Sequence, residues 1–481
     1  MKDQQRTVRR SRFEVLSKDD QERIYSAALE VLEKTGMRLH EPEALSLLKT
    51  AGATVEKDMV HFPARLVEKA LETAPKEVLL YTRDGQPALL LNTGNSYFGN
   101  GSDCVYILDS FTGKRRKFTK EDVGNAARVV DALENLDFVM PAGIVSDKPV
   151  SVADVHAFQV TTFNTVKPVC YTAMTRQETE DIIDVASIIA GGEDELRKKP
   201  FLIQYIETSS PLSYSADAAE MLLLCAERGV PIICSPGPIG GATAPATLAG
   251  ILVLHFAEAL SMLVISQLKN EGVPTVIGGC ASVMDMKTTV SAYAGPEFWL
   301  LNAALTELCH SLGLPMFGTA GCSDAKKVDG QVAIESALSA VTQSLCGADL
   351  IHDVGYIDSG LTQCFDSLVI ANEILGMVDR IRSGIEVDDE RLAVDLIDKV
   401  GAGGNYLVQP HTVKYFRSEF WMPELLTRES YEGWIEGGSK TLENRANERA
   451  RSILNDHKAP PLGEEINEEI FHFLECREAT L

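Results

Sequence analysis

The 481-residue sequence predicts an α/β protein: a closed (β/α)8 TIM barrel with an N-terminal helical cap and a C-terminal helical extension. Three observations predict it. Eight short apolar, β-branched runs recur through the centre of the chain, each ending in Gly, Ser, Pro or Thr. Amphipathic helical stretches separate them, and strand alternating with helix implies a parallel sheet with helical crossovers. The runs are also near-continuously apolar, as strands covered on both faces must be. About eight such units fit a closed barrel better than an open sheet. A doubly wound sheet is the alternative, but no GxGxxG comes after the first strand. "GPIGG" after Ser235 lacks both the spacing and the downstream acid of a dinucleotide site.

The cap takes residues 1–91. "SKDDQERIYSAALEVLEKTG" places Ser17 as N-cap, apolar residues at helical spacing and Gly36 as the stop. "PEALSLLKTAG" and "PARLVEKALETAP" read as two shorter helices, and "EVLLYTRDGQPALLL" as strand, DG turn and strand. Residues 92–384 hold the barrel. Its strands are read in "SYFGNG", "DFVMPAGIVS", "KPVCYTAMT", "PFLIQYIETSS", "VPIICSPGPIGG", "PTVIGGCAS", "LPMFGTAGCS" and "ADLIHDVGY". A hairpin, "CVYILDSFTGKRRKFT", is inserted after the first unit, turning at Thr112-Gly113. From residue 385 the chain is polar and helical, interrupted by "GAGGNYLVQPHT".

Composition narrows the function. Lys and Arg number 45 against 69 Asp and Glu, a net charge of −24, which repels nucleic acid and anionic membrane. The ten cysteines form no CxxC pair, and several sit in apolar runs as small buried thiols, which points to a reducing cytoplasm. The basic opening "MKDQQRTVRRSRFEVL" has no apolar core behind it, so no secretory signal is expected. No uninterrupted apolar run reaches about 18 residues, so no membrane span is expected either.

Catalytic groups of a barrel gather where strands end, on the carboxyl-terminal face. That rim collects Phe98, Asn100, Ser146, Tyr171, Tyr205, Glu207, Ser235, Cys280, Thr319, Cys322, His352, Asp353 and Tyr356. Rings recur there while Lys and Arg are nearly absent, a pattern that suits an alkylated ammonium group held by ring quadrupoles and suits phosphate poorly. The plainer reading is that the rings close the barrel end. In "LIHDVGY", adjacent strand residues face opposite sides, so one of His352 and Asp353 is expected inside. Glu207, a carboxylate on an apolar run, belongs at the mouth or in a paired core site. A zinc cluster of Cys170, Cys234, Cys280 and Cys322 is the competing idea; HExxH and HxC pairs are lacking, and no metal is expected. GxSxG and a Walker loop are lacking too.

Taken in order, "GNGSD" with "LDSFTGKRRKFT", "GTAGCSDAKKVDGQVAIESALSA", "ADLIHDVGYIDSG" and "GAGGNYLVQPHTVKYFR" resemble the trimethylamine methyltransferase family, from the N-terminal helices past Tyr406. Every position is a standard amino acid, so the likeness is to the non-pyrrolysine branch, typified by glycine betaine methyltransferases. The resemblance implies demethylation of a quaternary amine such as glycine betaine, with the methyl group passed to the Co(I) corrinoid (cobalamin) of a separate corrinoid protein. No cofactor is then tightly bound by the chain itself. On that reading Phe98, Tyr205 and Tyr356 supply ring contacts, with Tyr97 as a further wall. His352, alongside Asn100, meets a substrate carboxylate, and Glu207 offsets the ammonium charge. A betaine-binding barrel without catalysis and a barrel lyase or isomerase stay open, as does assembly into a homo-oligomer.

Overall fold

The computed structural model describes residues 12–91 and 94–480; residues 1–11 of the basic opening lie outside them. Seven parallel strands form one sheet: β1 (Tyr97–Asn100), β3 (Val169–Tyr171), β4 (Leu202–Ile206), β5 (Ile232–Cys234), β6 (Thr275–Gly278), β7 (Met316–Thr319) and β8 (Leu350–Val354). Neighbours keep chain order from β3 to β8, and β8 then pairs with β1. The eighth unit, β2 (138–139), closes the ring through parallel bridges from Phe138 to Gly99 of β1 and from Val139 to Val169 of β3. Asn100 secures that closure. Its Oδ1 accepts from the Met140 N–H at 2.9 Å, and its Nδ2 donates to the Met140 carbonyl at 2.7 Å.

Helices alternate with the strands, as the amphipathic stretches between the apolar runs predict, among them Lys120–Ala132, Ala216–Arg228 and Gly330–Cys346. Leu350, Phe317, Val276, Ile233, Ile203, Cys170 and Phe138 fill the barrel interior. The hairpin of Val78–Tyr81 and Pro87–Leu91 plugs the floor, its Leu80, Leu89 and Leu91 joining that inner core. Its Tyr81 and Arg83 N–H groups donate to carbonyls of Pro200 and Val166, just ahead of β4 and β3, which fixes it to the amino ends of the strands. A second, larger core lies between strands and helices.

The cap helix Lys18–Lys34 starts in a capping box: Ser17 Oγ accepts from the Asp20 N–H, and the Asp20 carboxylate accepts from the Ser17 N–H. Gly36, at φ +77°, ends it in the left-handed region. A small antiparallel sheet of Met37–Arg38, Thr54–Glu56 and Met59–His61 also belongs to the cap; its strands of two or three residues leave no periodic signal. The inserted hairpin forms as expected, Tyr106–Leu108 against Arg115–Lys117. One helix, Leu248–Lys269, is long and apolar enough to cross a membrane, with mean hydropathy 2.1 over its most apolar window. Within this fold 78% of that window is buried, under the cap helices Lys18–Lys34 and Ala64–Thr73.

Candidate active site

The centre of the barrel mouth is His352, 4% exposed near the end of β8. Its ring stacks on Phe317 at 4.2 Å and 26°, and Tyr205 packs against both rings, 5.9 Å from His352 and 5.6 Å from Phe317. Nε2 lies 3.0 Å from Thr319 Oγ1 and 3.6 Å from Cys280 Sγ. Nδ1 lies 2.8 Å from Asp353 Oδ1, an ion-pair distance although off the line of a hydrogen bond. Burial alone would make this imidazole a weaker base; the Asp353 carboxylate, aided by Cys280, overrides it and lifts the pKa to about 10. His352 is therefore an imidazolium at neutral pH.

Both residues of the His352-Asp353 pair face the mouth, against the expectation that only one would. Asp353 adopts φ +70°, and the β8 register against β1 shifts between Ile351 and Val354. The break in extended backbone turns the second side chain inward. Gly101 makes room for this: a Cβ there would land on Asp353 Oδ1 and on the Tyr356 ring. Asp353 Oδ2 accepts from the Tyr293 hydroxyl, which also reaches Cys280 Sγ at 3.5 Å.

Opposite stands Glu207, one residue past β4, accepting from the Tyr205 hydroxyl. Its side chain opens to solvent but is flanked by protein; loss of hydration raises its pKa, with Asp103 and Asp353 adding repulsion. Asp103 completes the group from the loop after β1, held by Thr172 Oγ1 at 2.9 Å and Ser102 Oγ at 2.8 Å. Loss of hydration raises its pKa also, and Asp353 contributes. Of the rim cations, Arg115 and Lys326 pair with Asp358 at 2.7 and 3.0 Å. Rings, an imidazolium–carboxylate pair and two further carboxylates thus face one opening. Among the described residues, Cys280, His352 and Asp353 have donor atoms spaced to hold a metal ion. As they stand, these donors are engaged with one another and with Thr319 and Tyr293.

Comparison with known proteins decides the family. The model described as trimethylamine methyltransferase (MTTB) matches residues 1–481. The chain belongs to the trimethylamine methyltransferase family. Trimethylamine methyltransferase MttB of Desulfitobacterium hafniense is 34% identical over 445 residues, covering 92% of this chain and 90% of the relative. Glycine betaine methyltransferase of the same species is 29% identical over 472 residues, covering 97% of each. MttB2 of Methanosarcina mazei is 32% identical over 460 residues, covering 93% and 92%. In architecture, the crystal structure of the Methanosarcina barkeri monomethylamine methyltransferase aligns with TM-score 0.54 at 12% identity, over 92% of this chain and 88% of that one, which shows the shared fold. The chain is accordingly an enzyme, a methyltransferase of this family.

Within this methyltransferase the residues singled out from sequence separate into two groups. His352, Glu207, Tyr205 and Tyr356 converge on the mouth. Phe98, Tyr97 and Asn100 lie elsewhere. Phe98 packs in the core between strands and helices, because its neighbours Tyr97 and Gly99 take the inward positions of β1. Tyr97 is inward but sits at the floor, near Asp137 and Asp349. Asn100 spends its amide on backbone groups of Gly101 and Met140. Of the four cysteines weighed as a zinc cluster, Cys280 alone touches His352; Cys170 fills the interior, and Cys234 and Cys322 belong to the outer core. Tyr293 and Asp103 were not singled out from sequence. Tyr293 lies thirteen residues beyond Cys280, past a hairpin of Ser282–Met284 and Ser291–Ala292, where counting from a strand end does not reach. Asp103 closes the motif "GNGSD", the one signal that could have marked it, but it has no strand partner to fix its direction.

Proposed function

We propose that this methyltransferase takes a methyl group from a quaternary amine and delivers it to the Co(I) corrinoid of a separate protein that docks over the barrel mouth. One observation carries the reading: the carboxyl groups of Glu207 and Asp103 face a mouth walled by Tyr205, Tyr293 and Tyr356, beside a histidine that Asp353 already pairs at 2.8 Å. A permanently charged, greasy cation gains from both features, the carboxylates by charge and the rings by their quadrupole. The reduced metal of the partner's corrinoid supplies the nucleophile, so the chain needs none of its own. Its residues bind, orient and exclude water. As the C–N bond breaks, both electrons go to nitrogen and the amine departs neutral, so no proton has to be placed on it.

Exposed apolar side chains on the loops after β2, β3, β6 and β8, namely Ile144, Met174, Met286, Val290 and Leu361, ring the same opening and give a protein-bound macrocycle a surface to meet. All ten cysteines are free thiols, in keeping with a reducing cytoplasm where low-valent cobalt persists. Glycine betaine, named for one relative, is the first of several quaternary amines to try. The test mixes the chain with a corrinoid protein, a reductant and, in turn, glycine betaine, choline and tetramethylammonium. Loss of the Co(I) absorption with release of the matching tertiary amine is expected for at least one. Wild-type rates retained in both Tyr356→Ala and His352→Ala would show that these residues do not form the site, and binding without transfer would make the chain a carrier.

A further inference from the structure

The charges around the mouth discriminate among quaternary amines by the group at the other end of the molecule. A betaine brings a carboxylate together with its ammonium. To accept it, a site needs a free cation or a set of unengaged donors facing the substrate tail. His352 is the basic side chain at the centre of the mouth, with Nδ1 at ion-pair distance, 2.8 Å, from Asp353 and Nε2 towards Thr319 and Cys280. Arg115 and Lys326 on the rim are drawn to Asp358. Asn100, the amide nearest in sequence, is locked on the barrel backbone. The groups that face the opening instead are the carboxyl groups of Glu207 and Asp103, which accept from Tyr205 and from Thr172 and Ser102 and turn oxygen, not a donor, towards a carboxylate tail.

We infer that the substrate is a quaternary ammonium compound with an uncharged or hydrogen-bond-donating tail, a quaternary amino alcohol or a simple tetraalkylammonium ion, and that Glu207 and Asp103 exclude compounds bearing a carboxylate. The inference rests on the quaternary-amine reading and adds the tail to it. Where the ammonium is common to all candidates, the ring contacts contribute equally, so the tail alone sets the difference in affinity. A substrate carboxylate brought near two like charges of a partly desolvated rim loses far more than a hydroxyl in the same place.

The full-length chain is titrated with choline, tetramethylammonium and glycine betaine, with binding read by calorimetry and by thermal shift. Choline and tetramethylammonium are expected to bind tighter than glycine betaine by about tenfold or more, the scale of one close like-charge contact. Glu207→Gln is expected to narrow the gap by weakening choline and strengthening betaine; Asp103→Asn does the same from the other wall and serves if the first variant is poorly folded. Glycine betaine binding as tightly as choline, or Glu207→Gln weakening both by the same factor, overturns the inference while leaving the quaternary-amine reading in place. Binding of none of the three takes down the reading and the inference together.

Discussion

At the scale of single residues, the His352–Asp353 contact determines the charge state of the mouth. Burial and the carboxylate push the imidazole in opposite directions, and the carboxylate wins, to about 10. A histidine raised above its unfolded value of about 6.5 stabilises the fold fully below that pH, and the contribution is lost as pH rises towards the folded value. Imidazole NMR should therefore show His352 protonated from about pH 6 to about 8.5, between the unfolded and folded values. In Asp353→Asn, burial is opposed by Cys280 alone and the His352 titration should move to lower pH; an unchanged spectrum would contradict the pairing. Asn100 makes the opposite kind of prediction. Its amide satisfies backbone groups of Gly101 and Met140 inside the barrel seam, so Asn100→Ala should cost about 3 kcal/mol in denaturant unfolding through unpaired buried groups. Substrate affinity in the folded fraction should stay at the wild-type value. Such roles are where sequence was least legible. "HD" and "YFGN" displayed the right residue types, but which face each takes depends on a left-handed φ at Asp353 and on one residue of register in β1, neither of which leaves a mark in composition.

At the scale of elements, the site is assembled by loops and turns beyond the strand ends more than by the strands themselves. Asp103 and Gly101 come from the loop after β1, Thr172 from the end of β3, Glu207 from beyond β4, Tyr293 from beyond a hairpin after β6, and Tyr356 from the short strand Tyr356–Ile357 after β8. Helix-borne groups brace these loops from behind. Glu258, buried on Leu248–Lys269, accepts from Thr208 Oγ1, Ser210 Oγ and the Leu212 N–H at 2.7–2.8 Å and holds the chain just past Glu207. The fit is tight at Gly101, where a methyl group has no space beside Asp353 and Tyr356. Gly101→Ala should lower stability by roughly 1–3 kcal/mol through overpacking. It should lower methyl transfer much more than that, because the displaced groups are those of the mouth; an activity loss no larger than the folded fraction explains would argue against it. Strand positions were legible because eight apolar runs punctuated by glycine and serine leave a periodic trace. Loop geometry was not, since Tyr293 is brought to Asp353 from sixty residues away by pairing that only the folded chain displays.

At the scale of the whole molecule, a barrel plugged at its floor by an apolar hairpin and open at its carboxyl face has one wet end and one dry end. The chain is acidic overall, and its wet end turns the carboxyl groups of Glu207 and Asp103 outward, where a cation is to be drawn in. The central claim is that this opening receives an alkylated cation. A crystal structure of the chain with tetramethylammonium tests it most directly. The ion's nitrogen is expected within about 6 Å of the Tyr205 and Tyr356 ring centres, the range of a cation–π contact, with Glu207 facing it. An empty mouth with the ion bound elsewhere, or a metal ion ligated by Cys280 and His352 in its place, would contradict it.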